Sequence, residues 1–428
     1  MHDETIAIHG GYSGDSTRAV AVPIYQTVSH DFVDASHAGA IFDIEIPGFH
    51  YNRINNPTND VLERRMSELE GGTAALSVAS GMAAVSYALL TVARAGSNIV
   101  AMPQLYGATY TYLSHVLPTF GVDTRFTADD SAASVAGLID DYTCAVFFET
   151  VGNPAGNVVD IEAVTSVAHA RGVPVIVDNT VPTPLMLKPI RFGADVVVHS
   201  LTKFVGGHGI ALGGVIVDAG SFAWERSPRR FPMFNEPEPA FHDVVFARDF
   251  PGRAFAVRAR SVTLRNTGAT LSPTSAFHLL QGLETLAVRL ERHEANARRV
   301  AEFLSADRRV AWVGYAGFAD HPYYELNQRY LAGRVPSIVT FGPTGGYEAA
   351  ISFFDSVKLF KRLVNLGDAK SLVSHPASTT HRQLRPHELA AAGILPEAVR
   401  LSVGLEHIDD LLADLDQALE VASRPNPA

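Results

Sequence analysis

The sequence predicts an α/β fold with a large, mostly parallel sheet domain and a smaller α+β C-terminal domain. Three observations predict it. Short runs rich in Val, Ile and Phe recur at intervals of roughly 20 to 30 residues, with helical stretches between them. Several of these runs are apolar at nearly every position, as strands covered on both faces must be. After a long amphipathic helix, the remainder mixes strand and helix patterns.

Taken in order, residues 1–60 are rich in Gly, His, Asp, Asn and Pro and carry few periodic runs. They read as an arm that wraps over something else, such as a neighbouring subunit. Residues 61–265 form the large domain. It opens on the helix LERRMSELE, where Leu62, Met66 and Leu69 share a face. The segment ALSVASGMAAVSYALL then reads as a short run, a Ser-Gly turn and a helix. The strands expected next are NIVAM (98–102), VDTRF (122–126), CAVFFE (144–149), VPVIVD (173–178), ADVVVHS (194–200) and GGVIVD (213–218). The last follows too closely for a crossover helix, which suggests an antiparallel strand. Residues 227–260 are Pro-rich, irregular and aromatic. Such a segment is either an excursion packed on its own Phe residues or part of the cover of a site, and the latter is expected here. In residues 266–428, Leu283, Leu286, Leu290, His293, Ala297, Val300 and Leu304 step by three and four. This stripe suits one helix bridging two domains. SIVTFG and VRLSVG read as strands, and DDLLADLDQALEVA as a helix.

The chain has 428 residues, 47% hydrophobic and 18% charged, enough to bury a sizeable core. A net charge of −11 argues against nucleic-acid or anionic-membrane binding. The single cysteine, Cys144, excludes an internal disulfide and a Cys-rich zinc site and reads as a core thiol; no metal is expected. No apolar stretch is long enough to span a membrane. MHDETIAIHGG lacks the pattern of a signal peptide. The expected location is the cytoplasm.

Only five of the 34 basic residues are lysines: Lys188, Lys203, Lys358, Lys361 and Lys370. Lys203, in HSLTKFVGGHG, follows a strand and stands beside Ser200, Thr202 and a Gly-rich segment. Ligands gather beyond the carboxyl ends of parallel strands, so Lys203 has the setting of a working amine. Lys358, Lys361 and Lys370 read as solvent-facing, and Lys188 lies in a loop. Asp178 ends VPVIVD; it is a helix cap, an edge charge or a carboxylate facing a cationic ring nitrogen. Ser80, Gly81 and Met82 open a helix whose free N–H groups suit a phosphate, though a plain strand-to-helix turn reads the same way. Tyr106, in LYGATY, is a core tyrosine or a ring that lies on a planar ligand. Tyr51 and Arg53, in YNRINNPT, share a face and offer a phenol and a guanidinium to one anion. Arg400, alone in the apolar strand VRLSVG, needs an anionic partner. Read together these residues describe a pyridoxal-phosphate site: an amine for the aldehyde, a carboxylate for the ring nitrogen, donors for the phosphate, an aromatic for the ring, an arginine for a substrate carboxylate. A nucleotide-binding oxidoreductase is the alternative of another class, but no G-x-G-x-x-G follows the first strand.

YNRINNPT, SGMAA, LYG, VDNT, HSLTKFVGGHG, SLVSHPASTTH and RLSVGLE resemble, in order, the Cys/Met-metabolism pyridoxal-phosphate enzymes, over essentially the whole chain. The resemblance implies the fold-type I, aspartate-aminotransferase-like architecture of these transferases. It implies that Lys203 carries pyridoxal 5'-phosphate, Asp178 pairs with the ring nitrogen and Tyr106 stacks on the ring and assists catalysis. Ser80, Gly81, Met82, Ser200 and Thr202 would hold the phosphate and Asn153 the ring hydroxyl. Ser374 and Arg400 would hold the substrate carboxylate. Tyr51 and Arg53 would reach the phosphate of a neighbouring subunit, giving shared sites in a dimer and a homotetramer of paired dimers. AVAVPIYQT, NEPEPAFH, LRNTGATLSP and GDAKSLVSHPASTTH are similar to the sulfhydrylase branch, whose substrates are O-acetylhomoserine and sulfide. Ala108 stands where methionine γ-lyases of the family usually have cysteine. O-succinylhomoserine sulfhydrylase, cystathionine γ-synthase and methionine γ-lyase chemistry are the alternatives within the family.

Overall fold

Seven strands build the larger sheet: β1 (Ala74–Val78), β2 (Asn98–Ala101), β3 (Asp123–Phe126), β4 (Thr143–Glu149), β5 (Val175–Asp178), β6 (Val196–Ser200) and β7 (Gly214–Asp218), in the order β1-β7-β6-β5-β4-β2-β3. The structure, a computed structural model, describes residues 1–153, 156–379, 382, 385, 389 and 393–424. Thr380 and His381 of the motif SLVSHPASTTH lie outside the described residues. Strands β3, β2, β4, β5 and β6 are parallel neighbours, and β7 is antiparallel to both β6 and β1. The antiparallel reading of 213–218 therefore agrees with the structure. All of β4 is buried, which is why CAVFFE shows no alternation. Cys144 lies within it, its thiol pushed up to about 11 by burial.

The segments around the sheet follow local chemistry. Helix α1 (Asp3–His9) and helix α2 (Ala35–Phe42) interrupt the N-terminal arm, which is more ordered than its composition suggests. Arg65, fully buried, holds the arm down by donating to the carbonyls of Ala7 and Gly10. Helix α3 (Pro57–Glu70) starts earlier than the predicted Leu62, because the Asn56 side chain caps it and Pro57 suits its first turn. Gly71, at φ 80°, ends it in the left-handed region. Helix α4 (Gly81–Val92) is capped by the Ser80 hydroxyl, which accepts from Ala83 N at 3.1 Å.

Residues 227–260 depart from expectation. Phe231, Phe234, Phe246 and Phe255 are fully buried around Trp224, whose ring stacks on Phe234 at 4.2 Å between centroids. No residue of this segment lines the cavity described below. The segment is a packed excursion, not the cover of that cavity, because its aromatic surface is used up against the large sheet.

The predicted bridging helix is two helices, Pro273–Glu284 and Leu286–Ala306, joined at Thr285. The stripe itself is buried from end to end. Its residues up to Leu290 pack in the core of the large sheet, and those from Ala297 pack in the core of the second sheet. That second sheet has the order β10-β11-β12-β9-β8, from β8 (Val310–Gly314), β9 (Ile338–Pro343), β10 (Lys361–Arg362), β11 (Leu372–Ser374) and β12 (Val399–Ser402). No helix among the described residues is long and apolar enough to cross a membrane. Among them, no group of three or more His, Cys, Asp and Glu is placed to hold a metal ion.

Candidate active site

Strands β4, β5 and β6 run side by side and end on one edge of the sheet, at Glu149, Asp178 and Ser200. Strand β1 leads to Ser80 on the same edge, and β2 leads to Tyr106. The turn after β6 carries Thr202 and Lys203. From the second sheet, β12 brings Arg400. These residues, with Gly81, Met82 and Asn153, line one cavity at the boundary between the two sheets. Crevices at the carboxyl ends of parallel strands are where such folds bind ligands. The approach of α4 to β6 depends on Gly81: a Cβ there would lie 2.5 Å from the Ser200 Cβ. Gly214 is similarly constrained, since a Cβ would meet the Ser80 carbonyl oxygen at 2.2 Å.

The electrostatics are those of a site that handles protons and anions. The Lys203 amine is lowered to about 8, first by burial and then by Arg400, with Asp178 opposing. Its Nζ donates to Asn365 Oδ1 at 2.7 Å. The other lysines have no such setting. Lys188 is paired to Asp3 at 2.6 Å, and Lys358, Lys361 and Lys370 are exposed. Arg400 is 5% exposed, and burial lowers its guanidinium to about 10. It donates to Asn153 Oδ1 at 3.1 Å and to the Asn365 carbonyl at 2.8 Å, and among the described residues its Nε has no partner. A buried guanidinium bonded only to neutral groups is a receptor for an anion. Burial raises Asp178, while Thr180, His199 and Lys203 pull it back. Beneath it lies a fully buried network: His199 Nε2 meets Glu70 Oε1 at 2.6 Å, and Asn179 donates to the same oxygen at 3.0 Å.

Three expected site residues are not in the cavity. Tyr51 and Arg53 lie on the arm, with the Arg53 guanidinium 5.3 Å from the Tyr51 ring centre and donating to the Arg265 carbonyl. Ser374 pairs with Arg400 across β11 and β12 and is buried, its hydroxyl without a partner among the described residues, but it is not a lining residue. Asn365 takes the place beside Arg400 instead. Asn365, Glu149 and Thr180 were missed from sequence. An asparagine in a loop carries no periodic signal. Glu149, at the end of CAVFFE, repeats the strand-end carboxylate pattern of Asp178 and could have been found by the same argument.

The arrangement fits a phosphorylated aromatic aldehyde. The first N–H groups of α4 have no partner within the helix, and Ser200 and Thr202 stand beside them. A depressed lysine, a strand-end carboxylate and a surface aromatic surround the remaining space. The family pattern of the Cys/Met metabolism PLP-dependent enzymes matches residues 4–420. The chain belongs to that family. Pyridoxal phosphate is therefore the cofactor of this Cys/Met metabolism PLP-dependent enzyme. It is similar to the homocysteine synthase of Schizosaccharomyces pombe, 45% identical over 98% of this chain and 99% of that protein. The O-acetyl-L-homoserine sulfhydrylase of Leptospira meyeri is 46% identical over 97% of this chain and 96% of its own. A crystal structure described as an O-acetylhomoserine (thiol)-lyase from Campylobacter jejuni superposes with a TM-score of 0.95 at 42% identity, over 98% of this chain and 100% of that one. That protein carries a pyridoxyl-lysine phosphate. The aminotransferase-like α/β architecture expected from sequence is thus the observed one.

Proposed function

We propose that this enzyme catalyses γ-replacement on O-acetyl-L-homoserine. The C–O bond at Cγ breaks, acetate leaves, and sulfide or a small thiol forms the new C–S bond; with sulfide the product is L-homocysteine. The observation that carries this reading is full-length likeness, at 45–46% identity, to relatives named for that reaction. The bound cofactor supplies an electron sink for the carbanion formed next to the amino group.

The chain's own residues do the rest. Lys203 carries the cofactor. Once released, its amine, lowered to about 8 in this cavity, takes the Cα proton, takes a Cβ proton so that acetate can leave from Cγ, and after the sulfur has added returns a proton to Cβ and one to Cα. Asn365 orients that amine. Asp178 faces the ring nitrogen and keeps it protonated. Tyr106 lies on the ring, and Asn153 meets the ring hydroxyl. Ser80, Gly81, Met82, Ser200 and Thr202 hold the phosphate. Arg400 takes the substrate carboxylate, and Ser374 supports it from β11. Tyr51 and Arg53 reach the phosphate of a neighbouring subunit, so the working unit is a dimer, paired into a homotetramer in the cytoplasm. The exposed Val20, Val28, Val33 and Phe42 of the arm support such a partner. Residues 1–60 act as the arm, 61–265 as the cofactor domain and 266–428 as the C-terminal domain.

Product analysis tests the reaction. With O-acetylhomoserine and sulfide, homocysteine should dominate. Dominant 2-oxobutanoate and ammonia under those conditions would mean a γ-lyase, and turnover of the succinyl ester alone would refute the acetyl donor.

A further inference from the structure

Glu149 has no part in the chemistry described above, yet it lines the same cavity and is only 6% exposed. It pairs in register with Asp178 on adjacent parallel strands. Side chains in register share a face, and neighbouring strands are about 4.8 Å apart. Two carboxylates are thus held side by side in a buried place. The cations nearby are engaged elsewhere: Lys203 Nζ donates to Asn365, and Arg400 donates to Asn153 and Asn365. Among the described residues, Glu149 has no ion pair. Its partners are main-chain N–H groups. Tyr106 N donates to Oε1 at 2.5 Å, and the Asn153 N–H lies near enough to the same carboxyl group to favour its ionised form.

These two N–H groups belong to the loops that present the Tyr106 ring and the Asn153 amide to the cofactor. Glu149 therefore ties both loops to the end of β4. We propose that Glu149 is a positioning residue which, as a neutral carboxylic acid, fixes the Tyr106 and Asn153 loops and leaves the negative charge of the site on Asp178. Like charges this close do not both ionise in a buried site. A neutral acid keeps a carbonyl oxygen with two lone pairs for the N–H donors. Burial, reinforced by Asp178, pushes the Glu149 carboxyl well above the usual carboxylate range, and the two N–H groups oppose this without being the larger effect. The remaining titratable groups on this side are Tyr106, Lys203 and His199, and His199 is engaged by Glu70.

The inference rests on the cofactor contacts proposed for Lys203, Tyr106 and Asp178, and the test separates the two. Glu149→Gln keeps the shape, the acceptor oxygen and the neutral charge. Glu149→Leu keeps the volume and removes the acceptor. The readouts are the pH titration of the visible band of the lysine-bound cofactor, its induced circular dichroism and the affinity of the apoenzyme for pyridoxal phosphate. Glu149→Gln should leave the midpoint of the band unchanged and retain the dichroism. Glu149→Leu should weaken cofactor affinity about tenfold and diminish the dichroism, as expected for loss of a hydrogen bond between two ordered loops. If Glu149 were ionised, the Gln variant would lose a negative charge, and the midpoint would fall by about one unit or more. That result, or wild-type affinity and dichroism in the Leu variant, overturns the inference. Should the Leu variant fail to fold, the Gln titration decides alone. A wild-type enzyme without the visible band would sink the Lys203 reading and this inference together; a normal wild-type band with a displaced Gln midpoint sinks this inference only.

Discussion

Lys203 and Arg400 come from different sheets, and the second alters the first. Arg400 helps to hold the Lys203 amine down, and among the described residues Arg400 has no acidic partner. An incoming carboxylate removes that deficit. Arg400→Leu should therefore raise KM sharply and lower kcat/KM by about a hundredfold or more, the cost expected when a buried charge-assisted pair loses one member. The visible band of the bound cofactor should persist. Steady-state kinetics with O-acetylhomoserine check this, and an unchanged KM would remove Arg400 from the substrate site. Lys203, Asp178 and Arg400 were legible as single residues because each is a polar group at a place where the pattern demands an apolar one or a turn. Asn365 was not. Its importance comes from a loop of the second sheet folding back over Lys203, and Ser374, the residue expected there, is carried one strand away by the pairing of β11 with β12.

Among the elements, the helix Leu286–Ala306 ties the two cores together, and His293 sits in its buried stripe. Its Nδ1–H donates to the Val403 carbonyl at 2.7 Å, its Nε2 has no partner among the described residues, and its ring meets Phe204 edge-on. Burial lowers it from 6.5 to about 4. In the unfolded chain His293 therefore takes up its proton at higher pH than in the folded one. The folded state should lose stability as pH falls from about 6.5 toward 4, by up to on the order of 3 kcal/mol at the acid end. His293→Gln should flatten that part of the profile. Urea midpoints of the apoenzyme at pH 7 and pH 5 measure it, and an equal acid shift in the variant would exclude His293 as its source. The stripe was visible from spacing alone. The break at Thr285 was not, since the apolar rhythm passes through it unchanged.

At the scale of the whole molecule, the arm serves no part of its own chain's cavity. Tyr51 and Arg53 lie away from the cavity of their own chain, and the arm around them exposes apolar side chains. If they complete a neighbour's phosphate site, Arg53→Ala should weaken cofactor binding by about 1.5–3 kcal/mol. Hybrid dimers of Arg53→Ala and Lys203→Ala chains should then recover activity, because one of the two sites regains both groups. Verified hybrids with no recovery would place Arg53 outside the shared site.

Read alone, the sequence determined the α/β class, the strands of the large sheet and the lysine that stands apart from four others. Those follow from local rules: apolar runs buried on both faces leave no alternation, and turns and strand ends leave polar residues where they show. Only the tertiary structure decided what meets what. It brought Arg400 across from the second sheet, set Glu149 beside Asp178, put Asn365 on Lys203, and spent the Phe residues of 227–260 on the core instead of the cavity. Each of these depends on strand order or on packing between segments far apart in the chain, and neither leaves a periodic trace in the residues themselves.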